Sequence, residues 1–218
     1  CCEVVLTGIH AGRWGIDFSP PSSLHQLLTH IHARDLIQRI RLSSIESIEI
    51  TDPLLSFAAD SERLCPHWHI PLQSGDNEIL KRMNRPYSAE KFADRLMTIR
   101  KIMPRAAIGT DVMVGFPGES EDAFNRTVSV LESLPVTYLH VFPFSRRSPA
   151  PAARSPHQVP PGKIKSRAKA LIRLGLRKKT AFYDKMIGET VAVILESRRD
   201  SATGLLTGVS ENYIRVWQ

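Results

Sequence analysis

The chain has 218 residues and a formal charge of +7 at pH 7 when histidine is counted as neutral. This length accommodates one large domain, or one domain with a small appendage. The composition is typical of a soluble globular protein, and we find neither a signal peptide nor an apolar run long enough to cross a bilayer. The positive charge favours a polyanionic partner, and nucleic acid is the first class to consider.

The three cysteines have neither the spacing of a disulfide framework nor that of a metal site. We therefore interpret Cys1, Cys2 and Cys65 as incidental thiols in a reducing, cytoplasmic compartment, and we assign no metal ligand. The chain starts at Cys1 without a methionine, and its first residues already have a strand pattern. We expect a fragment of a longer protein.

Strand and helix patterns alternate in the first part of the chain. Since no hairpin signal joins neighbouring strands, we predict an α/β fold with a parallel sheet and right-handed crossovers. Ligands bind at the carboxyl ends of such strands, which here carry polar side chains. The predicted strands are residues 3–7, 37–42, 67–72, 108–114 and 138–142, and helices are predicted to begin at Ser22 or Ser23, Asp52, Asp76, Ser88 and Ser120.

The central unit of the sheet is the stretch of residues 108–122, which has the pattern of strand, turn and helix. Its apolar strand ends before Pro117 and Gly118, which fit the two central positions of a type II turn. Ser120 then fits a helix cap. The stretch is either a ligand-binding loop or an ordinary connection between a strand and a helix.

The last part of the chain has a different pattern. Residues 148–162 form a proline-rich loop, and residues 163–186 are predicted to form a long helix that carries many cations and a single acid, Asp184. The helix is either a solvated amphipathic element or a surface that contacts phosphates. From Thr190 onward, short antiparallel strands are predicted. We divide the chain into residues 1–150, 151–187 and 188–218.

Several segments together resemble the methylthiotransferases of the radical S-adenosylmethionine superfamily. They are VVLTGIHAGRWG at residues 4–15, RLSSIES at 41–47, HIPLQSGDNEILKRMNRPY at 69–87, IGTDVMVGFPGESEDAF at 108–124 and YLHVFPFSRR at 138–147. The first segment is similar to the branch that acts on N6-threonylcarbamoyladenosine. The tail resembles the start of the RNA-binding β domain known as TRAM. The resemblance implies a partial (β/α) barrel that lacks its first strand and cluster loop, followed by a truncated TRAM-like segment.

Two departures from the family pattern affect this interpretation. The CxxxCxxC motif that binds the 4Fe–4S cluster lies before the first strand in the family and is not in this chain, so we expect no cluster here. The family's RPGTPAA element is present as RSPAPAA at residues 147–153, without the glycine and the threonine.

The family activity adds a methylthio group to an adenosine next to the anticodon of tRNA, with S-adenosylmethionine and 4Fe–4S clusters as cofactors. The resemblance therefore implies a tRNA methylthiotransferase core that is inactive in isolation, and no catalytic residue is assigned. Alternatives are a methylthiotransferase for another tRNA adenosine or for a ribosomal protein, a non-catalytic RNA-binding module, and a barrel enzyme for a phosphorylated metabolite.

The residues implied to bind S-adenosylmethionine lie at the strand ends, where hydroxyl, amide and carboxylate groups match its polar groups. Asp111 is unusual because a carboxylate inside an apolar strand is costly unless it is paired or functional. It either contacts the ligand or pairs with Arg82 or Arg85. The implied cofactor-binding residues are Thr7, Gly8, Ser43, Ser44, Glu46, Gln73, Ser74, Asp111, Met113, Gly115, Phe116 and Glu119.

The residues implied to bind tRNA combine cations for phosphate with a ring that can stack on a base. For each arginine, the alternative is an ordinary surface position. The candidates are His10, Arg82, Arg85, Phe144, Arg146, Arg147, Lys178 and Lys179.

Overall fold

A computed structural model describes residues 2–34, 36–148 and 150–218. The interpretation of Cys1, and the part of the altered 147–153 loop formed by Pro149, lie outside the described residues. The chain divides into two compact units. The first contains Cys1–His69, Ile99–Ala107 and Tyr183–Gln218, and the second contains Ile70–Thr98 and Ile108–Phe182. The predicted division at residues 150 and 187 stays a prediction. Over the described ranges, no helix has the length and apolarity needed to span a membrane.

The elements follow the predicted alternation of strand and helix. In chain order they are β1 (Glu3–Leu6), α1 (Leu24–Ala33), β2 (Arg39–Leu42), α2 (Asp52–Asp60), β3 (His67–His69), α3 (Asn77–Arg82), α4 (Ala89–Ile102), β4 (Ala107–Val114), α5 (Glu121–Ser133), β5 (Tyr138–Pro143), α6 (Pro161–Met186), β6 (Val193–Arg199), β7 (Leu206–Ser210) and β8 (Arg215–Trp217).

Local capping rules account for most of the helix starts. The side chains of Ser23, Asp76 and Ser120 each accept a hydrogen bond from the backbone amide three residues later, and the caps at Ser23 and Ser120 were predicted. The prediction for α2 was wrong by one residue. Thr51 caps this helix and Asp52 is its first residue, because the threonine hydroxyl accepts from the backbone amide of Leu54, three residues later.

The first unit contains a parallel pair and an antiparallel sheet. β1 and β2 pair in parallel from Glu3 opposite Arg39 to Leu6 opposite Leu42, and bridges from Ile40 to Leu64 and from Ser44 to His69 continue the parallel order. β6, β7 and β8 form a three-stranded antiparallel sheet. The antiparallel pattern predicted for the tail is therefore confirmed.

Two arginines of β2 join the parallel pair to the antiparallel sheet. Arg39 and Arg41 are both buried, and both bind the carboxylate of Glu3. Burial acts to raise the pKa of Glu3, but the hydrogen bonds from Arg41 and Arg39 outweigh it and the pKa is lowered. The remaining guanidinium donors bind carbonyls that belong to the antiparallel sheet and its flanking residues, namely those of Ala192, Val209, Ser210 and Glu211.

The second unit is built on β4 and β5. These strands pair in parallel from Gly109 opposite Tyr138 to Val114 opposite Pro143. Residues 70–73 run along the other side of β4, where the amide of Leu72 donates to the carbonyl of Asp111 at 3.1 Å. The predicted parallel α/β architecture is therefore confirmed. Residues fully buried in this unit include Leu72, Phe92, Leu96, Ile108, Val112, Leu131 and Leu171.

Candidate functional site

In the first unit, the carboxyl ends of β1 and β2 lie side by side. The amide of Ser43 donates to the carbonyl of Leu6 at 2.9 Å, so the residues that follow both strands are at the same edge. Thr7 and Gly8 are exposed there. The hydroxyl of Ser44 lies 2.9 Å from Nδ1 of His69, and Glu46 is half-buried. The structure thus brings together the five predicted cofactor residues of this unit, Thr7, Gly8, Ser43, Ser44 and Glu46.

His10 is exposed beyond the end of β1, as expected for a residue that contacts substrate. Its Nδ1 lies 3.4 Å from Oε1 of Glu49, whose side chain is only 8% exposed. The other oxygen of this carboxylate is buried, and no hydrogen-bond partner for it occurs among residues 2–34, 36–148 and 150–218. We did not predict Glu49, although its position shortly after the SSIES segment was a usable signal.

In the second unit, Gln73 has a backbone conformation that is rare for a residue with a side chain. Its φ is +66°, its amide donates to the carbonyl of Asp111 at 2.8 Å, and its carbonyl accepts from the amide of Met113 at 2.9 Å. Left-handed residues other than glycine often occur at functional sites, because such strain persists only where the surroundings enforce it. Gln73 therefore remains a good candidate for ligand contact.

The structure corrects the prediction for Ser74. This residue is completely buried. Its hydroxyl lies 3.3 Å from the hydroxyl of Thr127 and accepts from the amide of Asp76 at 3.2 Å. Its polar group thus serves the start of α3 and the packing of α5, and a bound cofactor has no access to it.

Asp111 has a neighbour that the sequence did not indicate. His140 lies directly opposite on β5, and its Nδ1 is 3.2 Å from Oδ1 of Asp111. The Asp111 side chain is 18% exposed and the His140 side chain is 50% exposed, so the pair is accessible from solvent. Arg82, one of the two partners considered for Asp111, lies instead beside the turn after β4, where its Nη1 is 3.5 Å from the carbonyl of Pro117.

The loop after β4 is held by a buried ion pair. Oε2 of Glu119 accepts from the amide of Gly115 and from Nη1 of Arg167, both at 2.7 Å. The two side chains are 1% and 4% exposed. Burial raises the pKa of the Glu119 carboxyl, and the opposing effects of the Gly115 amide and Arg167 do not cancel this increase. This arrangement corrects the prediction for Glu119, which positions the loop rather than presenting a carboxylate to a ligand.

Arg167 was not predicted as a site residue, only as one of the cations of a basic helix. It also donates to the backbone carbonyl of Glu119 at 3.0 Å and to Oε2 of Glu121 at 2.9 Å. Its guanidinium lies 5.2 Å from the ring centre of Phe124. A usable signal was the helical period, since Arg167 is in phase with the apolar positions Leu171 and Leu174.

Two predicted aromatic contacts lie next to each other. Phe116 follows β4 and Phe144 follows β5, and their ring centres are 5.6 Å apart at an interplanar angle of 74°. Both are half-buried, as is Met113 near the end of β4. An edge-to-face pair at the carboxyl ends of adjacent parallel strands provides an apolar surface on which a purine can stack.

The predicted cations differ in how accessible they are. Arg82, Arg146, Arg147 and Lys179 are exposed, and Arg85 is half-buried. The structure corrects the prediction for Lys178. Its ammonium donates to the carbonyls of Glu132 and Leu134 at 3.0 and 2.8 Å, and burial lowers its pKa. Lys178 is therefore bound to the carboxyl end of α5 rather than available for phosphate.

Comparison with known proteins identifies the family. The model of the Radical SAM superfamily matches residues 18–131, which is more than half of the chain. The chain belongs to this superfamily. The superfamily implies S-adenosylmethionine and a 4Fe–4S cluster as the cofactors of the complete enzyme.

The chain is also similar to tRNA methylthiotransferases. It is 38% identical over 217 residues to threonylcarbamoyladenosine tRNA methylthiotransferase MtaB of Bacillus subtilis, with 98% of this chain and 48% of that protein covered. It is 33% identical over 206 residues to tRNA-2-methylthio-N(6)-dimethylallyladenosine synthase of Pelotomaculum thermopropionicum, with 94% of this chain and 46% of that protein covered. The chain thus spans about half the length of these relatives.

Solved structures support the fold assignment. Coproporphyrinogen III oxidase of Escherichia coli, a radical SAM enzyme, aligns with a TM-score of 0.58 at 16% identity, over 71% of this chain and 37% of that one. The Elp3 protein of Methanocaldococcus infernus aligns with a TM-score of 0.54 at 11% identity, over 95% of this chain and 65% of that one. At these identities the likeness shows the fold alone.

The described cysteines do not fit an iron–sulfur cluster. Cys2 is exposed, whereas Cys65 is buried. Burial raises the pKa of the Cys65 thiol to about 12, and the nearby Glu3 carboxylate, 3.8 Å from its sulfur, adds to this. Because iron is bound by thiolates, Cys65 is unsuited to serve as a cluster ligand.

Proposed function

We propose that this chain is the S-adenosylmethionine-binding core of a tRNA methylthiotransferase that modifies N6-threonylcarbamoyladenosine. The observation that carries the proposal is the similarity of 98% of the chain to enzymes with this printed activity, at 38% identity for the Bacillus subtilis relative. The relative named for a dimethylallyladenosine product is 33% identical. The LTGIH segment at residues 6–10 also favours the threonylcarbamoyl branch.

The residues of the chain contribute binding and orientation, while the cofactors contribute the difficult chemistry. Phe116 and Phe144 offer a stacking surface for adenine. The prediction that Gly115 admits the ring against the backbone is corrected, because Ile164 occupies the space beside its Cα. Gln73 and the Asp111 carboxylate supply polar contacts in the second unit. For Thr7, Ser43, Ser44 and Glu46 of the first unit, binding of the methionyl and ribose parts is what the family resemblance implies.

The first test is a calorimetric titration of the 218-residue chain with S-adenosylmethionine. We expect saturable binding, and we expect weaker binding of methylthioadenosine, which lacks the amino and carboxyl groups assigned to the strand ends. If S-adenosylmethionine gives no response, the proposal is wrong. If the chain does not bind S-adenosylmethionine but binds a tRNA transcript, it is an RNA-binding module.

The second test concerns iron. We propose that the chain binds no 4Fe–4S cluster and has no turnover by itself, because Cys65 is unsuited and the CxxxCxxC motif is not part of this sequence. After anaerobic reconstitution with iron and sulfide, followed by desalting, we expect the protein to show no broad absorbance in the visible range and to retain no iron. A stable cluster absorbance would contradict this expectation.

A further inference from the structure

The part of α6 that lies in the second unit carries a regular row of cations. Lys165, Lys169, Arg173 and Arg177 recur every four residues. Four residues of an α-helix rise by about 6 Å and turn by slightly more than one full turn, so these side chains follow one another along one side of the helix. We call these four residues the α6 basic row.

The members of the α6 basic row are directed to solvent. All four are exposed, whereas Ala168, Leu171, Leu174 and Gly175 are buried on the other side of the helix. Within the described parts of the chain, no carboxylate forms an ion pair with Lys165, Lys169 or Arg173. Arg177 has an exposed pair with Glu132 at 3.4 Å, which is a weak interaction in water.

Two other cations of the helix have structural contacts and do not belong to the row. Arg167 is buried against Glu119, and Lys178 is bound to the carboxyl end of α5. Residues 161–182 contain no acidic side chain. The excess positive charge of this segment is therefore concentrated on its solvent side, where it is not neutralised by the helix itself.

We propose that the α6 basic row binds the sugar–phosphate backbone of tRNA. The inference rests on the proposed function for the identity of the RNA. Charge complementarity supports it, because a single-sign row with a regular rise matches a polyanion whose charges also repeat along a line. Ile172 and Leu176 lie between the cations and are 49% and 60% exposed. Their aliphatic surface is suited to contact with riboses and base faces.

The experiment compares two triple variants that have the same net charge. The test variant is K165Q/K169Q/R173Q, and the matched control is K81Q/K91Q/K101Q, which removes three exposed lysines from α3 and α4. Affinity for a fluorescent full-length tRNA transcript is measured from 50 to 400 mM salt, and affinity for S-adenosylmethionine is measured in parallel.

Each lost phosphate contact lowers the slope of log K against log salt by about 0.7 to 0.9. For the test variant we therefore expect a decrease in slope of about 2 to 3 and an affinity loss on the order of a hundredfold at 0.1 M salt. The control is expected to lose less than about fivefold. Circular dichroism spectra of both variants should match that of the unchanged chain, because the substituted side chains are exposed.

The outcomes separate the row from the proposed function. Equal losses of tRNA affinity in both variants would show that only net charge matters and would overturn the inference. Undiminished tRNA binding by the test variant would overturn it too, and so would a lack of tRNA binding by the unchanged chain. Undiminished binding is also the result expected if another protein segment covers this side of α6. The titration with S-adenosylmethionine tests the proposed function separately, since none of the row residues is assigned to that site.

Discussion

Replacement of Arg167 by alanine is expected to lower the free energy of unfolding by about 3 to 5 kcal/mol, because it leaves the buried Glu119 carboxylate without its cation. One carboxylate oxygen of Glu119 already has no hydrogen-bond partner among the described residues. Removal of Arg167 therefore also strips the other oxygen of one of its two donors. Urea denaturation followed by circular dichroism measures the change. Arg173→Ala, on the exposed side of the same helix, is the control and should change stability by less than about 0.5 kcal/mol.

The loss of stability caused by Arg167→Ala should depend on pH. Since the pKa of folded Glu119 is already raised, its contribution to stability is present at acid pH and decreases as pH rises through the folded pKa. Without Arg167 the folded pKa rises further. The cost of Arg167→Ala is therefore expected to be greater at pH 7.5 than at acid pH, where the Glu119 carboxyl is protonated. A cost that is independent of pH would mean that lost packing, rather than an unpaired charge, causes the effect.

A double variant tests whether the loss of stability comes from the uncompensated charge of Glu119. Arg167→Met combined with Glu119→Gln removes both charges while keeping similar side-chain lengths. We expect the double variant to recover at least half of the loss seen for Arg167→Ala, because no buried charge is left uncompensated. A loss that equals or exceeds that of the single variant would instead show that the pair is a net stabilising interaction.

The second large effect is expected for Gly115→Ala, which should lower the free energy of unfolding by about 2 to 5 kcal/mol. Gly115 has a φ of +80°, and alanine in this region costs about 1 to 2 kcal/mol. A Cβ there would also lie 2.4 Å from Cγ1 of Ile164, and such overpacking lowers stability by about 1 to 3 kcal/mol. The same urea denaturation measures the change, and the affinity for S-adenosylmethionine should fall as well if the loop binds adenine.

Two further variants test the two causes. Gly162→Ala is the matched control, since a Cβ at that position meets no atom within 4 Å and the residue is helical, so stability should be unchanged or increase by up to about 1 kcal/mol. Ile164→Ala combined with Gly115→Ala removes the contact but leaves the backbone strain. If this combination is as stable as Ile164→Ala alone, the left-handed conformation of Gly115 contributes nothing and the explanation fails.

Local sequence was sufficient for the features that depend on nearby residues. The caps of α1, α3 and α5 follow from hydrogen bonds that span only three residues, and the parallel arrangement follows from the alternation of apolar strands with amphipathic helices. Family resemblance located the segments that contain Thr7, Ser44 and Phe116. Even within these rules, the cap of α2 was misplaced, because both Thr51 and Asp52 are good capping residues and only the backbone geometry distinguishes them.

The tertiary structure decided which polar side chains are accessible to a ligand. Arg167 contacts Glu119 across 48 residues of sequence, and Lys178 reaches the end of α5 across 44 residues. No local pattern predicts such pairs, because they depend on how α6 packs against α5. The sequence by itself therefore determined the family, the order of the elements and the overall excess of positive charge. Only packing determined that Ser74, Glu119, Arg167 and Lys178 are used internally while Asp111, Phe116 and the α6 basic row remain accessible, since burial and contact are properties of the folded chain.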